Sequence, residues 1–272
     1  MEIKAGEYTS SINGALADDF PELPAVEDEK MVKFVLSSEA FKDGLGQVMV
    51  AVGSDTTRPV LTGMYFNTYE GGLYLAATDG YRLAERKVAT GVETEVAAIV
   101  PVAPLRTVMG LLGDEAEEIE ILFDETQVRF RLGEVEVMSK LIGGSFPNYR
   151  QLIPKESEVR VELARDELTR VTKLAALFAK EVGGSVICET AAEKGVFSIA
   201  SVANELGENK SEIKTEVEVD GKVTLNSRFL IDALNVLGGK TISFGFANKL
   251  DPVVLRSDAS DEYIHIIMPL KS

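Results

Sequence analysis

One arrangement of predicted elements occurs twice in this 272-residue chain, at an interval of about 125 residues, and this repeat limits the possible folds most. The segment Phe34-Val-Leu-Ser-Ser-Glu-Ala-Phe predicts a short strand, a Ser cap and an amphipathic helix. In the second copy, Val161-Glu-Leu-Ala-Arg-Asp-Glu-Leu begins the same pattern. A further strand and helix begin near Val100 and recur near Leu225, and both helices end in Leu-Gly. Because the interval has the size of a domain, the sequence predicts two similar domains in tandem.

Alternating apolar residues between turn signals predict several strands in each half. The turn signals are Glu70-Gly-Gly, Asp79-Gly, Asp124-Glu-Thr and Leu132-Gly, all at hairpin spacing. Each half is therefore predicted to be an α+β domain with two helices packed on one side of an antiparallel sheet. The predicted strands are residues 60–67, 72–77, 83–89, 119–123, 127–132 and 135–141, then 185–189, 196–203, 211–219, 240–247, 253–257 and 263–268.

The repeat gives boundaries for three parts of the chain. We expect a middle domain at residues 31–155 and a C-terminal domain at residues 156–272. Residues 1–30 belong to neither copy: Glu2-Ile-Lys-Ala-Gly-Glu-Tyr-Thr has a strand pattern, and a proline-punctuated acidic linker follows it. This isolated strand indicates that a further segment precedes Met1 in the complete protein.

The residues needed for common catalytic sites are few. Cys188 and His265 are the single cysteine and the single histidine, which excludes an intrachain disulfide and a Cys/His zinc site. His265 lies in a strand pattern, where a catalytic role is unusual.

Gly238-Gly-Lys-Thr lacks the earlier glycine of a phosphate loop, and a helix C-cap explains it better. Gly44-Leu-Gly-Gln-Val-Met lacks the third glycine of a dinucleotide fingerprint. We therefore predict no enzyme activity, no cofactor and no metal, although among 44 acidic residues carboxylate chemistry stays open.

The charge balance restricts how the chain could meet nucleic acid. It carries 28 Lys and Arg against 44 Asp and Glu, a formal net charge of −16. A surface this acidic argues against a protein that binds nucleic acid over its whole exterior, but a local basic surface stays possible. The N-terminus has no signal-peptide pattern, and the most apolar stretch, residues 96–113, is broken by two prolines and an arginine. We expect a cytoplasmic protein without a membrane span.

Four segments, in matching order and spacing, resemble the bacterial DNA polymerase III beta subunit family, the replicative sliding clamps. They are Arg58-Pro-Val-Leu-Thr-Gly-Met-Tyr-Phe, Leu75-Ala-Ala-Thr-Asp-Gly-Tyr-Arg-Leu-Ala, Gly144-Ser-Phe-Pro-Asn-Tyr-Arg-Gln-Leu-Ile-Pro and Ile267-Met-Pro-Leu. The resemblance runs from about Gly6 to the last residue. It implies a chain of three similar clamp domains whose head-to-tail homodimer forms a ring, with helices lining the hole. This chain resembles the second and third domains and the tail of the first, with Ala17-Asp-Asp-Phe-Pro-Glu-Leu-Pro as the first linker.

The first function that the resemblance implies is sequence-nonspecific encirclement of duplex DNA. A ring is held by topology and therefore needs only weak attraction to phosphates, which is compatible with an acidic chain. An alternative is that the basic residues of the helices are ordinary solvated side chains. The family often has basic residues after the Val-Pro that opens the second helix of the middle domain, whereas Pro101 is followed by Val-Ala-Pro. The expected DNA-facing residues are Lys42, Arg106, Arg170, Lys173 and Arg228.

The second implied function is a pocket at the junction of the two domains, on the side of the third domain. Partners such as the polymerase III catalytic subunit and the clamp loader insert short peptides with Gln, Leu and Phe there. Tyr81 stands where a His is common, Gln151 where an Arg is common, and Leu270-Lys-Ser replaces a common Met-Arg ending. The matching positions are Leu61, Thr78, Gly80, Tyr81, Arg82, Leu83, Pro147, Gln151, Leu152, Leu250, Pro252, Ile266, Met268, Pro269 and Leu270.

Two other classes of function are weighed against a clamp. One is a carboxylate enzyme on duplicated α+β domains, and the other is a protein-interaction scaffold without a DNA role. Retention of the complete protein on circular but not linear duplex DNA separates a clamp from a scaffold. Because the ring joins the first domain of one chain to the third of another, we expect this chain alone to be mainly monomeric.

Overall fold

The computed structural model describes residues 1–19, 31–113, 118–180, 183–203 and 207–270. The chain divides into two compact units, Met1–Met31 and Val32–Ser272. The first unit contains an antiparallel hairpin of β1 (Glu2–Ala5) and β2 (Tyr8–Ser11) and a 3₁₀ turn at Ala17–Asp19. The strand expected near Glu2 is therefore present. Of the linker expected at residues 16–30, residues 17–19 form the 3₁₀ turn, and residues 20–30 lie outside the described residues.

The second unit alternates strands and helices in the repeated order that the sequence predicts. Its first half contains β3 (Val32–Ser37), α1 (Ser38–Met49), β4 (Gly63–Tyr69), β5 (Gly72–Thr78), β6 (Arg82–Thr90), β7 (Ala97–Pro101), α2 (Val102–Leu111), β8 (Glu118–Phe123), β9 (Gln127–Leu132) and β10 (Val135–Lys140). Its second half contains β11 (Val159–Ala164), α3 (Arg165–Ala179), β12 (Ser185–Ala191), β13 (Val196–Ala203), β14 (Gly207–Lys214), β15 (Gly221–Asn226), α4 (Ser227–Val236), β16 (Thr241–Phe246), β17 (Val253–Ser257) and β18 (Ser260–Ile267).

Local chemistry explains where the helices begin. The Ser37 hydroxyl accepts a hydrogen bond from the Ala40 amide at the start of α1, as the predicted Ser cap requires. The side chain of Asn226 caps α4 in the same way through the Arg228 amide. The start of α3 has no capping side chain. Instead, the negative charges of Asp166 and Glu167 in its first turn interact favourably with the positive end of the helix dipole.

The described part of the second unit contains three antiparallel sheets. Two have four strands, in the orders β10-β9-β8-β3 and β14-β13-β12-β15. The third has eight strands, in the order β11-β16-β17-β18-β6-β5-β4-β7, and it runs through both halves. The halves meet where β6 pairs with β18 over five residues, from Arg82 opposite Ile267 to Arg86 opposite Tyr263.

The helices form a layer in which α1 contacts α2, α3 contacts α4, and α1 and α4 meet at the junction of the halves. Their apolar sides pack on the sheets and form the main core, with Phe41, Leu45, Leu168 and Leu230 fully buried. A second, smaller core lies on the opposite face of the eight-stranded sheet and includes Leu83, Tyr149 and Ile266. The predicted α+β class, with helices packed on antiparallel sheets, is confirmed.

Two predicted strands were misplaced. The strand expected at 60–67 begins at Gly63, because Pro59–Leu61 form a 3₁₀ turn in which the Thr62 amide and hydroxyl both bind the Pro59 carbonyl. Proline favours such a turn because its φ angle is fixed near the helical value. The strand expected at 211–219 is Gly207–Lys214, and beyond it the Thr215 hydroxyl bonds to the Glu162 carbonyl.

The glycine-rich segments behave as turns. Glu70 and Gly71 both have positive φ angles and link β4 to β5, and Gly80 has a φ of +92° between β5 and β6. In Gly238-Gly-Lys-Thr, the Lys240 and Thr241 amides donate to a carboxylate oxygen of Asp258 at 2.9 and 3.1 Å. These amides therefore bind a side chain of the same chain at the start of β16, and the C-cap of α4 is Leu237 and not the predicted glycine. Among the described residues, no helix has the length and apolar composition needed to cross a membrane.

His265 is completely buried in β18 at the junction of the halves. Its Nδ1 lies 2.9 Å from the Tyr263 hydroxyl, and that hydroxyl donates to the Gln47 carbonyl of α1 at 3.0 Å. The Nε2 atom has no hydrogen-bond partner among the described residues. Burial, with a smaller contribution from the Arg82 charge, lowers the pKa of His265 to about 3. The imidazole is therefore neutral, and its role is structural.

We predict that His265 makes the fold acid-sensitive. Between pH 6.5 and 3 the unfolded chain binds a proton that the folded chain does not, so the free energy of unfolding falls as the pH falls. The His265→Leu variant lacks this contribution. As the pH falls below 6, the free energy of unfolding of the wild type should therefore fall by about 1.4 kcal/mol per pH unit relative to that of the variant. Urea unfolding of both proteins between pH 7 and pH 4.5 measures the difference. Parallel curves would contradict the prediction.

Candidate functional site

A cleft of about 620 Å³ opens where the segment connecting the two halves crosses the eight-stranded sheet. Half of its lining residues are aliphatic or proline, Met268 adds to the apolar surface, and a few polar groups stand at one side. Such a composition suits an apolar ligand oriented by a small number of hydrogen bonds. The lining residues are Thr57, Arg58, Pro59, Val60, Leu61, Thr78, Gly80, Arg82, Leu83, Pro147, Tyr149, Leu152, Ile266 and Met268.

The floor of the cleft belongs to the sheet. Leu83 of β6 lies directly opposite Ile266 of β18, so the two side chains share one face. Met268 lies two residues beyond Ile266, and its backbone amide donates to the Tyr81 carbonyl at 2.8 Å, which continues the pairing of the two strands. The floor therefore contains residues from both halves and depends on the β6–β18 pairing.

Two short helical turns form the walls. On one side, the 3₁₀ turn Pro59–Leu61 presents Val60 and Leu61. On the other side, the connecting segment presents Pro147 and Leu152, and a second 3₁₀ turn at Arg150–Leu152 is closed by a 2.8 Å bond from the Leu152 amide to the Tyr149 carbonyl. Leu152 keeps half of its surface exposed, which makes it available to a ligand.

The polar side of the cleft is the tight turn between β5 and β6. The Asp79 carboxylate accepts hydrogen bonds from the Tyr81 and Arg82 amides at 2.8 and 3.0 Å. The Thr78 hydroxyl donates to the Arg82 carbonyl at 2.6 Å and accepts from the Gly80 amide at 3.0 Å. A Cβ atom at Gly80 would lie 3.2 Å from the Arg58 guanidinium, so glycine here serves both the positive φ and the close approach of Arg58.

Arg82 connects the cleft to the helix layer. Its guanidinium pairs with Asp79 at 3.0 Å and with Asp232 of α4 at 2.6 Å, and it lies 4.5 Å above the ring of Phe229. The side chain is 11% exposed. Because both carboxylates already bind the charge, Arg82 offers a ligand mainly its hydrocarbon stem, whereas Arg58, whose side chain is 49% exposed, keeps a guanidinium at the rim.

A buried polar cluster adjoins the cleft on the same face of the sheet. The Tyr149 hydroxyl donates to Glu85, and the Arg150 guanidinium lies 2.9 Å from the same carboxylate. The Asn67 amide donates to the Tyr149 hydroxyl at 3.2 Å. Burial raises the pKa of Glu85, against the opposing hydrogen bond from Tyr149 and the charge of Arg150. Burial and the Glu85 carboxylate raise the pKa of Tyr149 far above its usual value.

The structure assembles part of the pocket that the resemblance implies. Nine expected residues line the cleft: Leu61, Thr78, Gly80, Arg82, Leu83, Pro147, Leu152, Ile266 and Met268. Tyr81, Gln151, Leu250, Pro252, Pro269 and Leu270 were expected and are not part of the lining. Five lining residues were not expected: Thr57, Arg58, Pro59, Val60 and Tyr149.

The geometry explains these differences. The Leu250 side chain is 58% exposed, and the Leu250 amide binds the side chain of Asn248, which turns the loop before β17. The Leu270 amide donates to the Thr224 carbonyl of β15, so the chain end follows that strand. Tyr81 is 61% exposed at the tip of its turn. Of the lining residues, Ile266 and Met268 come from the second half and the others from residues 57–152, and the expected position on the side of the third domain stays a prediction. The segment that begins Arg58-Pro-Val-Leu was the available signal for most of the missed residues.

The helix layer differs in charge from the rest of the chain. The four helices contain six basic and five acidic residues, whereas the whole chain has 28 basic and 44 acidic ones. The five expected DNA-facing residues are all exposed and are distributed over the four helices. The Lys42 ammonium donates to the Leu112 carbonyl at the end of α2, at 2.7 Å, and Arg170 lies 3.5 Å from Glu167. The helix layer is therefore nearly neutral, although the chain as a whole is strongly acidic.

Metal chemistry has no support in the part of the chain that the structure describes. It contains no group of three or more His, Cys, Asp or Glu side chains arranged to hold a metal ion. Cys188 is buried, and burial raises the pKa of its thiol to about 12, so it is not a thiolate at neutral pH.

Comparisons with known proteins agree with this architecture. Residues 35–148 match the family model described as DNA polymerase III beta subunit, central domain, and residues 150–271 match the model of the C-terminal domain. The chain is 29% identical over 274 aligned residues to the beta sliding clamp of Staphylococcus aureus strain Mu50, an alignment that covers 99% of this chain and 72% of that protein.

Solved structures give the same result. The DNA polymerase sliding clamp from Bacillus subtilis superposes with a TM-score of 0.92 at 26% identity, covering 100% of this chain and 72% of that one. A sliding clamp from Bartonella birtlesii bound to griselimycin superposes with a TM-score of 0.90 at 25% identity, covering 100% of this chain and 74% of that one.

Proposed function

We infer that this chain, which belongs to the DNA polymerase III beta subunit family, is a DNA sliding clamp that tethers replication proteins to duplex DNA. The single observation that carries the inference is the family match over both halves of the second unit. The helix layer and the apolar cleft provide one surface for each of the two tasks. No chemical step is needed for tethering, so we propose that the protein is not an enzyme.

The charge distribution supports the role of the helix layer in facing DNA. A clamp that slides must be attracted to phosphates without holding them tightly, and this attraction does not depend on base sequence. Arg106, Arg170, Lys173 and Arg228 are exposed on helices that are nearly neutral overall, whereas the acidic excess of the chain lies in the segments between the helices and strands. We propose that these side chains contact the DNA backbone. The Lys42 ammonium already binds the end of α2, so its contribution to DNA contact should be smaller.

The cleft supports the role in partner binding. An extended peptide with Leu and Phe anchors can bury them against Leu83, Ile266 and Met268, and a Gln side chain can bond to the polar groups near Thr78. Each buried anchor contributes roughly 1.5 to 3 kcal/mol before ordering costs, which gives micromolar affinity for two or three anchors. We propose that the polymerase and the clamp loader bind here through such peptides.

The domain boundaries and the location in the cell are also proposals. We propose that residues 31–155 form the central clamp domain and residues 156–272 the C-terminal one, supported by the matched ranges 35–148 and 150–271. The assignment of residues 1–30 to the tail of a first domain stays a prediction. Because replication takes place in the bacterial cytoplasm, we propose that the protein works there.

We predict that Met268→Ala weakens binding of a fluorescent peptide containing Gln followed by Leu and Phe by about tenfold, since part of the buried anchor surface is lost. Met268 is only partly buried, so the melting temperature should change little. Fluorescence anisotropy and melting curves measure the two quantities. Leu177→Ala, at an exposed leucine of α3, is the matched control, and griselimycin should compete with the peptide. Unchanged affinity of Met268→Ala, or loss only in proportion to unfolding, would remove Met268 from the site.

We predict that replacing Arg170 and Lys173 with Ala weakens duplex binding at low salt and lowers the slope of log K against log salt by about 1.8, because about 0.9 is expected per lost phosphate contact. The matched control replaces Lys210 and Lys222, which lie on the outer side of the sheet β14-β13-β12-β15 and pair with Glu212 and Glu189. Titrations of labelled duplexes of two unrelated sequences should give equal losses. An equal loss in the control variant would contradict a DNA-facing helix layer.

A further inference from the structure

The segment that connects the two halves is attached to the outer face of the eight-stranded sheet at one point. Glu85 of β6 is 7% exposed and Tyr149 of the segment is 3% exposed, and the Tyr149 hydroxyl donates to the Glu85 carboxylate. Arg150 completes the contact with a guanidinium nitrogen 2.9 Å from the same carboxylate. Among the described residues, Tyr149 and Arg150 of the segment and the charge of Arg256 favour the ionised form of the Glu85 carboxyl, against its burial.

The strand register places this contact next to the floor of the cleft. Glu85 lies opposite Ile264, and Leu83 lies opposite Ile266, so all four side chains share one face of the sheet. Glu85 follows the floor residue Leu83 by two positions in the same strand. The residue pair that contacts the segment is therefore the neighbour, on the same face of the sheet, of the pair that forms the cleft floor.

Aromatic side chains restrict the segment to one arrangement. Phe146 stacks on Tyr65 with the ring centres 4.7 Å apart, and the Arg150 guanidinium lies 4.1 and 4.3 Å from the ring centres of Tyr69 and Tyr74. These cation–π contacts favour the position of the Arg150 guanidinium in which it lies 2.9 Å from the Glu85 carboxylate. Such a buried polar network favours one geometry of the groups that it joins.

The wall residues of the cleft depend on this arrangement. Pro147 lies between Phe146 and Tyr149 in the chain, and Leu152 is fixed through the bond from its amide to the Tyr149 carbonyl. Leu152 is half exposed, so its own packing does not determine its position. In the chain, Pro147 and Leu152 thus stand on either side of Tyr149, whose buried hydroxyl binds Glu85.

We propose that Glu85 is a positioning residue of the peptide cleft, which holds Pro147 and Leu152 over the sheet by binding Tyr149 and Arg150. This inference rests on the proposed peptide-binding function. It adds that the affinity for partners depends on a buried carboxylate that no bound peptide touches.

The test compares Glu85→Leu, Glu85→Gln and Tyr149→Phe by peptide titration and by melting curves. We expect Glu85→Leu to bind the peptide about tenfold more weakly at a temperature where the variant is still fully folded. Its melting temperature should fall as well, because the variant leaves the Tyr149 hydroxyl and the Arg150 guanidinium without their carboxylate. Glu85→Gln keeps an oxygen that can accept the hydrogen bond of the Tyr149 hydroxyl, so its peptide affinity should fall less than that of Glu85→Leu. Tyr65→Phe removes the hydroxyl of a neighbouring aromatic ring and leaves the stack on Phe146, so as the matched control it should bind normally.

A double-mutant cycle identifies the route of the effect. If Glu85 acts through the wall, Glu85→Leu should cause little further loss in a Leu152→Ala background, whereas independent effects would add. Additive losses, or losses that only follow the melting temperature, would overturn the proposal. Normal binding by both Glu85 variants while Met268→Ala is weakened would overturn this inference alone. A wild-type chain that does not bind the peptide would overturn the proposed function as well.

Discussion

The pairing of β6 with β18 is the interaction on which the rest of the structure depends. It joins two half-sheets of four strands into one sheet of eight, and thereby fixes the two halves of the second unit relative to each other. One of the five residue pairs, Leu83 with Ile266, lies in the floor of the cleft. On the other face of the sheet, the same pairing brings α1 next to α4 in the helix layer. The cleft proposed for peptides and the helix layer proposed for DNA therefore share a single structural origin, on opposite faces of the same sheet.

The junction contains buried polar groups on both faces of the sheet, and they act in different ways. On the helix side, Tyr263 and His265 bind each other and the carbonyl of Gln47, which links β18 to α1 across the two halves. On the outer side, Glu85 binds the connecting segment. Buried polar groups contribute less to stability than apolar packing, but they penalise any arrangement in which their partners are absent. At this junction they select one relative position of the halves, which apolar packing alone would leave less defined.

The repeat and the α+β class could be predicted from the sequence because they depend on periodic apolar residues and local turn chemistry. Ser37 and the Glu70-Gly turn act as their local sequence indicates. The shared sheet could not be predicted, since β6 and β18 lie far apart in the chain and their pairing leaves no local signal. The same limit applies to the site: Arg58 and Tyr149 were missed, although both lie in segments that carried the family resemblance. Leu250 and Leu270 were carried over by resemblance and do not line the cleft, and their part in peptide binding stays a prediction.

The two parts of the cleft differ in how firmly they are held. Leu83, Ile266 and Met268 belong to paired strands or directly extend them, so the floor exists before any peptide arrives and little ordering is needed on that side. The walls come from short 3₁₀ turns in loops, which have few backbone hydrogen bonds of their own. Differences in affinity among relatives with the same floor should therefore originate mainly in the residues that hold the walls. In this chain those residues are Asp55, which binds Arg58 next to one turn, and Glu85, which binds Tyr149 next to the other.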